Sequence, residues 1–220
     1  MAYDVISGKT CPYVQRVLIV LEEKGVSYTH KTIDLKNKPN WFMKISPFGK
    51  VPLLRLENGT NLFESQAINE FLDEVEGTTL HPSNAVERAE HRAWIEFISS
   101  IIMSFGGYYY ATDEETANER LATVSERLAR LEEVTSDGPY FSGSSFSLVD
   151  AAAAPLFSRV ELLNHYHPIN LLTEHPKLAA WSKTLLKHPS VAAIATSSFQ
   201  EDVLSALRGK DVYVAQFLHA

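Results

Sequence analysis

Residues 7–25, SGKTCPYVQRVLIVLEEKG, follow a short β-like run at Asp4 to Ile6 and carry apolar side chains at Val14, Val17, Leu18 and Leu21. That i, i+3, i+4, i+7 spacing lines one face of a helix, so the stretch reads as strand, turn, helix. Gly25 closes the helix, Val26 to Ile33 alternates as a second strand, and VPLLRLENGTNLF (51–63) reads as a hairpin around Asn58-Gly59. A second helical stripe follows at Ile68, Phe71, Leu72 and Val75. Strand, helix, strand, irregular segment, hairpin and helix together make residues 1–76 a compact α/β unit.

Beyond it the period changes. Gly77, Pro82 and Ser83 interrupt the pattern, which places a linker at 77–82, and no convincing strand follows. Helical stripes recur at Trp94, Ile98, Ile101 and Phe105, and at Leu121, Val124, Leu128 and Leu131, so residues 83–220 read as an all-α bundle. Ser147 and Asp150 have the S-x-x-D spacing of a capping box, which gives Asp150 a structural task before a catalytic one.

Composition narrows the function. The chain has 220 residues, 45% of them hydrophobic, enough for a sizeable core. A net charge of -7 without a basic run disfavours nucleic acid and anionic membranes as partners. The apolar run Val17 to Leu21 is too short for a signal segment or membrane span, and the protein reads as cytoplasmic. Cys11 is the only cysteine. Redox chemistry at Cys11 therefore needs its second sulfur from another molecule.

Position alone leaves two readings of Cys11 open: a buried, inert thiol, or a thiolate favoured by the amides and positive end of a helix that Pro12 begins. Arg16 adds positive potential in the second reading, although an arginine there is more often solvated or domain-bridging. Val14 stands where a resolving cysteine would be, which excludes a dithiol mechanism. Pro52 opens a strand without wasting a sheet donor and leaves the Val51 backbone available to an extended ligand. Ser65 reads as the N-cap of the next helix, whose start also suits a carboxylate. His165 and His167 lack acidic or thiol partners in sequence, so no metal is expected. Asn58 is a turn residue, and Tyr108 to Tyr110 suit either an acceptor pocket or packing.

Three segments together, CPYVQRV (11–17), LKNKPNWFMKISPFGKVPLL (35–54) and ESQAI (64–68), resemble the cysteine-type, omega-like glutathione transferases. The resemblance implies a thioredoxin-like domain at 1–76 followed by a helical domain on the acceptor side of the cleft. It also implies glutathione as co-substrate and a mixed disulfide at Cys11. Tyr13 would sit beside the sulfur, Lys38 would face the glycine end of glutathione, and Val51, before a cis Pro52, would pair with its cysteinyl backbone. Glu64 and Ser65 would take the γ-glutamyl group. The amino-terminal extension common in animal members is absent from this sequence, so nothing specific to those proteins is carried over. The implied activity is thiol transfer or reduction of mixed disulfides, dehydroascorbate or glutathionyl ketones, by a homodimer. The alternatives are conjugation to a small electrophile, or a non-catalytic regulator similar to the stringent-starvation proteins.

Overall fold

The structure, a computed structural model, describes residues 3–218. The chain divides into two compact units, with the change between Leu80 and His81.

The first unit contains β1 (Tyr3–Ser7), α1 (Pro12–Glu23), β2 (Tyr28–Thr32), α2 (Asn40–Ile45), β3 (Leu53–Leu56), β4 (Asn61–Phe63) and α3 (Ser65–Val75). Its sheet has the order β2-β1-β3-β4, with β2 parallel to β1 and the hairpin strands antiparallel. This is the thioredoxin-like arrangement of a small mixed sheet with helices packed on it. Helix α1 starts at Pro12, where the missing N–H would have had no intrahelical partner. Every residue from Val14 to Leu21 is buried, so α1 lies covered all round instead of along the one stripe its spacing predicts. That includes Arg16, at 1% exposure, which corrects the expectation of a solvated arginine. Its guanidinium lies 5.1 Å from the Tyr13 ring centroid, a cation–π geometry that helps compensate the charge for lost water.

The segment before the hairpin, read as irregular, contains α2. Its buried Phe42 packs with Ile6 and Leu53. Strand β2 is shorter than the alternation predicts and is mostly exposed, as suits an edge strand. The far end of the unit is tied by Lys24, whose Nζ donates to the Asp73 carboxylate at 2.7 Å and to the carbonyls of Glu76 and Thr78, both at 2.8 Å.

The second unit contains α4 (Ala85–Tyr109), α5 (Glu114–Val134), α6 (Leu148–Tyr166), α7 (Pro176–Leu185), α8 (Pro189–Ala192), α9 (Ser197–Arg208) and a 3-10 turn at Tyr213–Phe217. Helix α4 packs on α5 and α6, and α7 packs on the same two helices. At the start of α6, Ser147 and Asp150 form the reciprocal capping box. Asp150 also accepts from the Phe141 amide at 2.9 Å and from Trp181 Nε1 at 2.6 Å. One carboxylate thus holds the loop before α6, the helix start and α7 together.

Candidate active site

The sheet register brings the site together. Ile6, near the end of β1, pairs with Leu53 at the start of β3, and Leu53 also pairs with Phe63 at the end of β4. The segments that continue from these positions therefore share one end of the sheet: Cys11 after β1, Val51-Pro52 before β3, and Glu64-Ser65 after β4. Strand order alone does not give this. It follows from β1 and β4 both running antiparallel to β3.

Cys11 is the N-cap residue of α1, half-buried, with extended backbone (φ -74°, ψ 122°). The first turn of α1 has no acidic side chain, so nothing there offsets the positive helix end beside the sulfur. Such an end favours thiolate over thiol. Sγ lies 3.9 Å from the carbonyl oxygen of Val51, and the Val51-Pro52 peptide is cis. Sulfur and the β3 approach are therefore direct neighbours. Tyr13, half-buried on the first turn of α1, turns its ring under the Arg16 guanidinium.

Lys38 is exposed on the segment before α2, and its Nζ lies 3.6 Å from where a Cβ on Gly49 would stand. Gly49 has φ +59°, and that Cβ would approach the Met43 thioether to 3.2 Å. The close approach of Met43 and the positive φ together call for glycine.

At α3 the N-cap expectation is corrected. Glu64 is the N-cap residue, and Ser65 is the first residue of the helix. A first-turn hydroxyl cannot fold back on the N2 and N3 amides as an N-cap hydroxyl does. Glu64 has φ 66° and ψ 116°, a strained setting for a residue with a side chain. No side-chain cap bond is made at this helix start. Ser65 is 7% exposed while Glu64 faces solvent, and neither side chain has a hydrogen-bond partner among the described residues. An uncapped helix start with a spare hydroxyl and a spare carboxylate is chemically complementary to a zwitterionic amino-acid group, the amides and hydroxyl matching a carboxylate and Glu64 matching an ammonium.

Sequence reasoning missed Ser7, whose buried Oγ lies 2.6 Å from His30 Nε2 and 3.4 Å from Thr32 Oγ1. Burial lowers the His30 pKa, and the pair joins β1 to β2 across the register. Nothing local in sequence signals a contact of that span. Gly8 was missed too: a Cβ there would come within 2.5 Å of Leu35 Cδ1, so the chain beyond β2 can lie directly over the turn leading to Cys11. The His165–His167 segment serves packing. His167 stacks on Phe217 with centroids 3.8 Å apart, and its Nδ1 lies 3.1 Å from the Tyr108 hydroxyl. Among the described residues no group of three or more His, Cys, Asp or Glu is arranged to hold a metal ion. No described helix is long and apolar enough to cross a membrane.

Residues 10–75 match the family model for the glutathione S-transferase N-terminal domain, and residues 114–184 match that for the glutathione S-transferase C-terminal domain. The chain is 34% identical over 194 residues to glutathione S-transferase omega-1 of Sus scrofa, covering 86% of this chain and 79% of that one. It is 30% identical over 196 residues to the probable glutathione S-transferase DHAR1, cytosolic, of Oryza sativa subsp. japonica, covering 89% and 87%. The crystal structure of glutathione transferase Omega 3C from Trametes versicolor superposes with a TM-score of 0.78 at 32% identity, covering 89% of each chain.

Proposed function

Because the chain belongs to the glutathione S-transferase family, we propose that it is an omega-like, glutathione-dependent thiol transferase and reductase with Cys11 as nucleophile. The Cys11 thiolate attacks the glutathionyl sulfur of a mixed disulfide. The sulfur–sulfur bond breaks, the substrate leaves as thiolate and takes a proton, and glutathione stays on the enzyme as a Cys11 mixed disulfide. The thiolate of a second glutathione attacks that adduct, releasing glutathione disulfide and restoring Cys11. With a glutathionyl ketone, the same attack breaks the carbon–sulfur bond and the enolate is protonated.

The observation that carries this reading is the Cys11 sulfur at the N-cap of α1, 3.9 Å from the Val51 carbonyl. The Val51 backbone pairs with the cysteinyl part of glutathione, which sets the two sulfurs side by side. Glu64 and Ser65 hold the γ-glutamyl group at the α3 terminus, Lys38 faces the glycine carboxylate, and Tyr13 flanks the sulfur. The α/β domain at 1–76 binds glutathione, and the helical domain at 83–220 supplies the acceptor side. The enzyme works in the cytoplasm as a homodimer.

Intact-protein mass spectrometry after exposure to oxidised glutathione tests the reading. One glutathione adduct per chain, reversed by dithiothreitol and absent in Cys11→Ala, is expected. A native protein that resists modification, or a Cys11→Ala variant with full thiol-transfer turnover, would overturn it.

A further inference from the structure

The chain that leads into Val51 is held in a closed turn. Ser46, 3% exposed at the end of α2, donates its hydroxyl to the Lys50 carbonyl at 2.9 Å and accepts from the Lys50 amide at 3.0 Å. The Gly49 amide donates to the Ser46 carbonyl at 3.0 Å, which closes the turn from inside. Met43, on α2, lies against it: the Cβ that Gly49 lacks would stand 3.1 Å from Met43 Cε and 3.2 Å from its Sδ. The Lys38 ammonium is 3.6 Å from the same point. Thioether and ammonium therefore flank one position on the buried Gly49.

Met43 is 50% exposed, which gives a small oxidant access to it from solvent. Lys38 makes no ion pair or side-chain hydrogen bond with another described residue. A thioether is a weak acceptor, so as it stands Met43 leaves that ammonium free for a ligand. Oxidation reverses this, because a sulfoxide is polar and its oxygen accepts hydrogen bonds strongly.

We propose that Met43 is an oxidation site through which hydroperoxides weaken glutathione binding at Lys38. The inference rests on the reading above, in which Lys38 faces the glycine carboxylate of glutathione. A sulfur lone pair of Met43 attacks one oxygen of hydrogen peroxide, and the oxygen–oxygen bond breaks. The sulfur is oxidised to the sulfoxide, and the departing hydroxide takes the proton of the transferred oxygen and leaves as water. On the Gly49 side the closed turn gives the new oxygen no room, while the Lys38 ammonium offers a charged donor beside it. Bound to the sulfoxide, that ammonium is drawn away from the ligand carboxylate. Glutathione binding thus falls under oxidising conditions without any change at Cys11.

The test uses Cys11→Ser, in which peroxide meets no thiol, with calorimetric titration of glutathione before and after hydrogen peroxide and peptide mass spectrometry to locate each added oxygen. Met103, 66% exposed on α4 in the other unit, is the internal control. Oxygen should appear on both methionines and the affinity should fall at least threefold. The pair of methionine sulfoxide reductases, one for each epimer, should restore it. Adding Met43→Leu should keep the starting affinity and abolish the response to peroxide, although Met103 still oxidises. Adding Lys38→Ala should lower the starting affinity and also abolish the response. Unchanged affinity in protein carrying Met43 sulfoxide, a Met43 that resists while Met103 reacts, or an equal fall in either added variant would refute the inference and leave the thiol-transferase reading standing. An untreated protein that binds no glutathione would overturn the glutathione site and the inference together.

Discussion

Single residues at the sheet end carry separable tasks. Ser65 stands one place inside α3 instead of capping it, so removing its hydroxyl leaves helix amides where they are. Ser65→Ala should therefore change stability by no more than about 0.5 kcal/mol. The lost bond to a charged ligand group corresponds to about 1.5–3 kcal/mol, or roughly ten- to a hundredfold weaker glutathione binding. Calorimetric titration of the folded variant checks both, and an unchanged affinity would remove Ser65 from the site. Glu64 makes the opposite combination: glycine accepts its φ of 66° without strain, so Glu64→Gly should raise the melting temperature while weakening glutathione binding. A less stable Glu64→Gly protein would show that the backbone there is not strained. At Cys11, serine is a far poorer nucleophile toward sulfur but still leaves bound glutathione beside a helix terminus. Cys11→Ser should lose thiol transfer and gain conjugation with a nitroaryl halide. Retained transfer would contradict the mechanism. Alkylation of the native thiol should titrate below the ordinary cysteine value of about 8.5.

At the scale of elements, the features legible in the sequence were those whose cause lies within a few residues. Pro12 fixes the start of α1, Asn58-Gly59 turns the hairpin, and the Ser147/Asp150 box opens α6. What escaped depends on distant partners. Whether α1 is covered on one face or all round is decided by what packs on it. Helix α2 is short and owes its place to Phe42 meeting Ile6 and Leu53. The register that gathers Cys11, Val51 and Glu64 lies in strand pairing. Asp150 belongs to both kinds: its cap was legible, while its bonds to Phe141 and Trp181 were not. Its carboxylate accepts from two amides, an indole and a hydroxyl while completely buried. Asp150→Ala orphans those donors together and should cost about 3 kcal/mol or more. Urea unfolding should show the midpoint falling, and a loss below 1 kcal/mol would mean that the network is replaceable by water.

For the whole molecule, a homodimer of the family type predicts about twice the 24.6 kDa chain mass in light scattering at micromolar concentration, and a clean monomer would defeat that claim without touching the chemistry. The pH dependence of stability follows from groups the fold removes from water. His91 is 7% exposed, with Nε2 2.8 Å from the Ser142 hydroxyl and its ring 5.9 Å from that of His81. Burial, and secondarily His81, hold its pKa below the ordinary value, with Glu90 opposing. Burial acts the same way on His167, with Glu114 opposing. The folded chain thus refuses protons that the unfolded chain accepts near pH ~6.5. The histidine contribution is flat above that pH, falls as the pH drops below it, and levels off below the lowered folded values. Asp150 has the opposite sign: burial outweighs its donors and raises its pKa, so its contribution falls as pH rises from the unfolded carboxylate value of ~3.9 to the raised one. Near neutrality and just below, the histidines set the slope, and acidification should destabilise the helical unit. His91→Gln offers a hydrogen-bonding amide in place of the imidazole and cannot titrate, so its urea midpoint should fall less than that of the wild type between pH 7 and pH 5.5. Parallel profiles for the two proteins would show that His91 is as easily protonated folded as unfolded, and would place the pH sensitivity elsewhere in the chain.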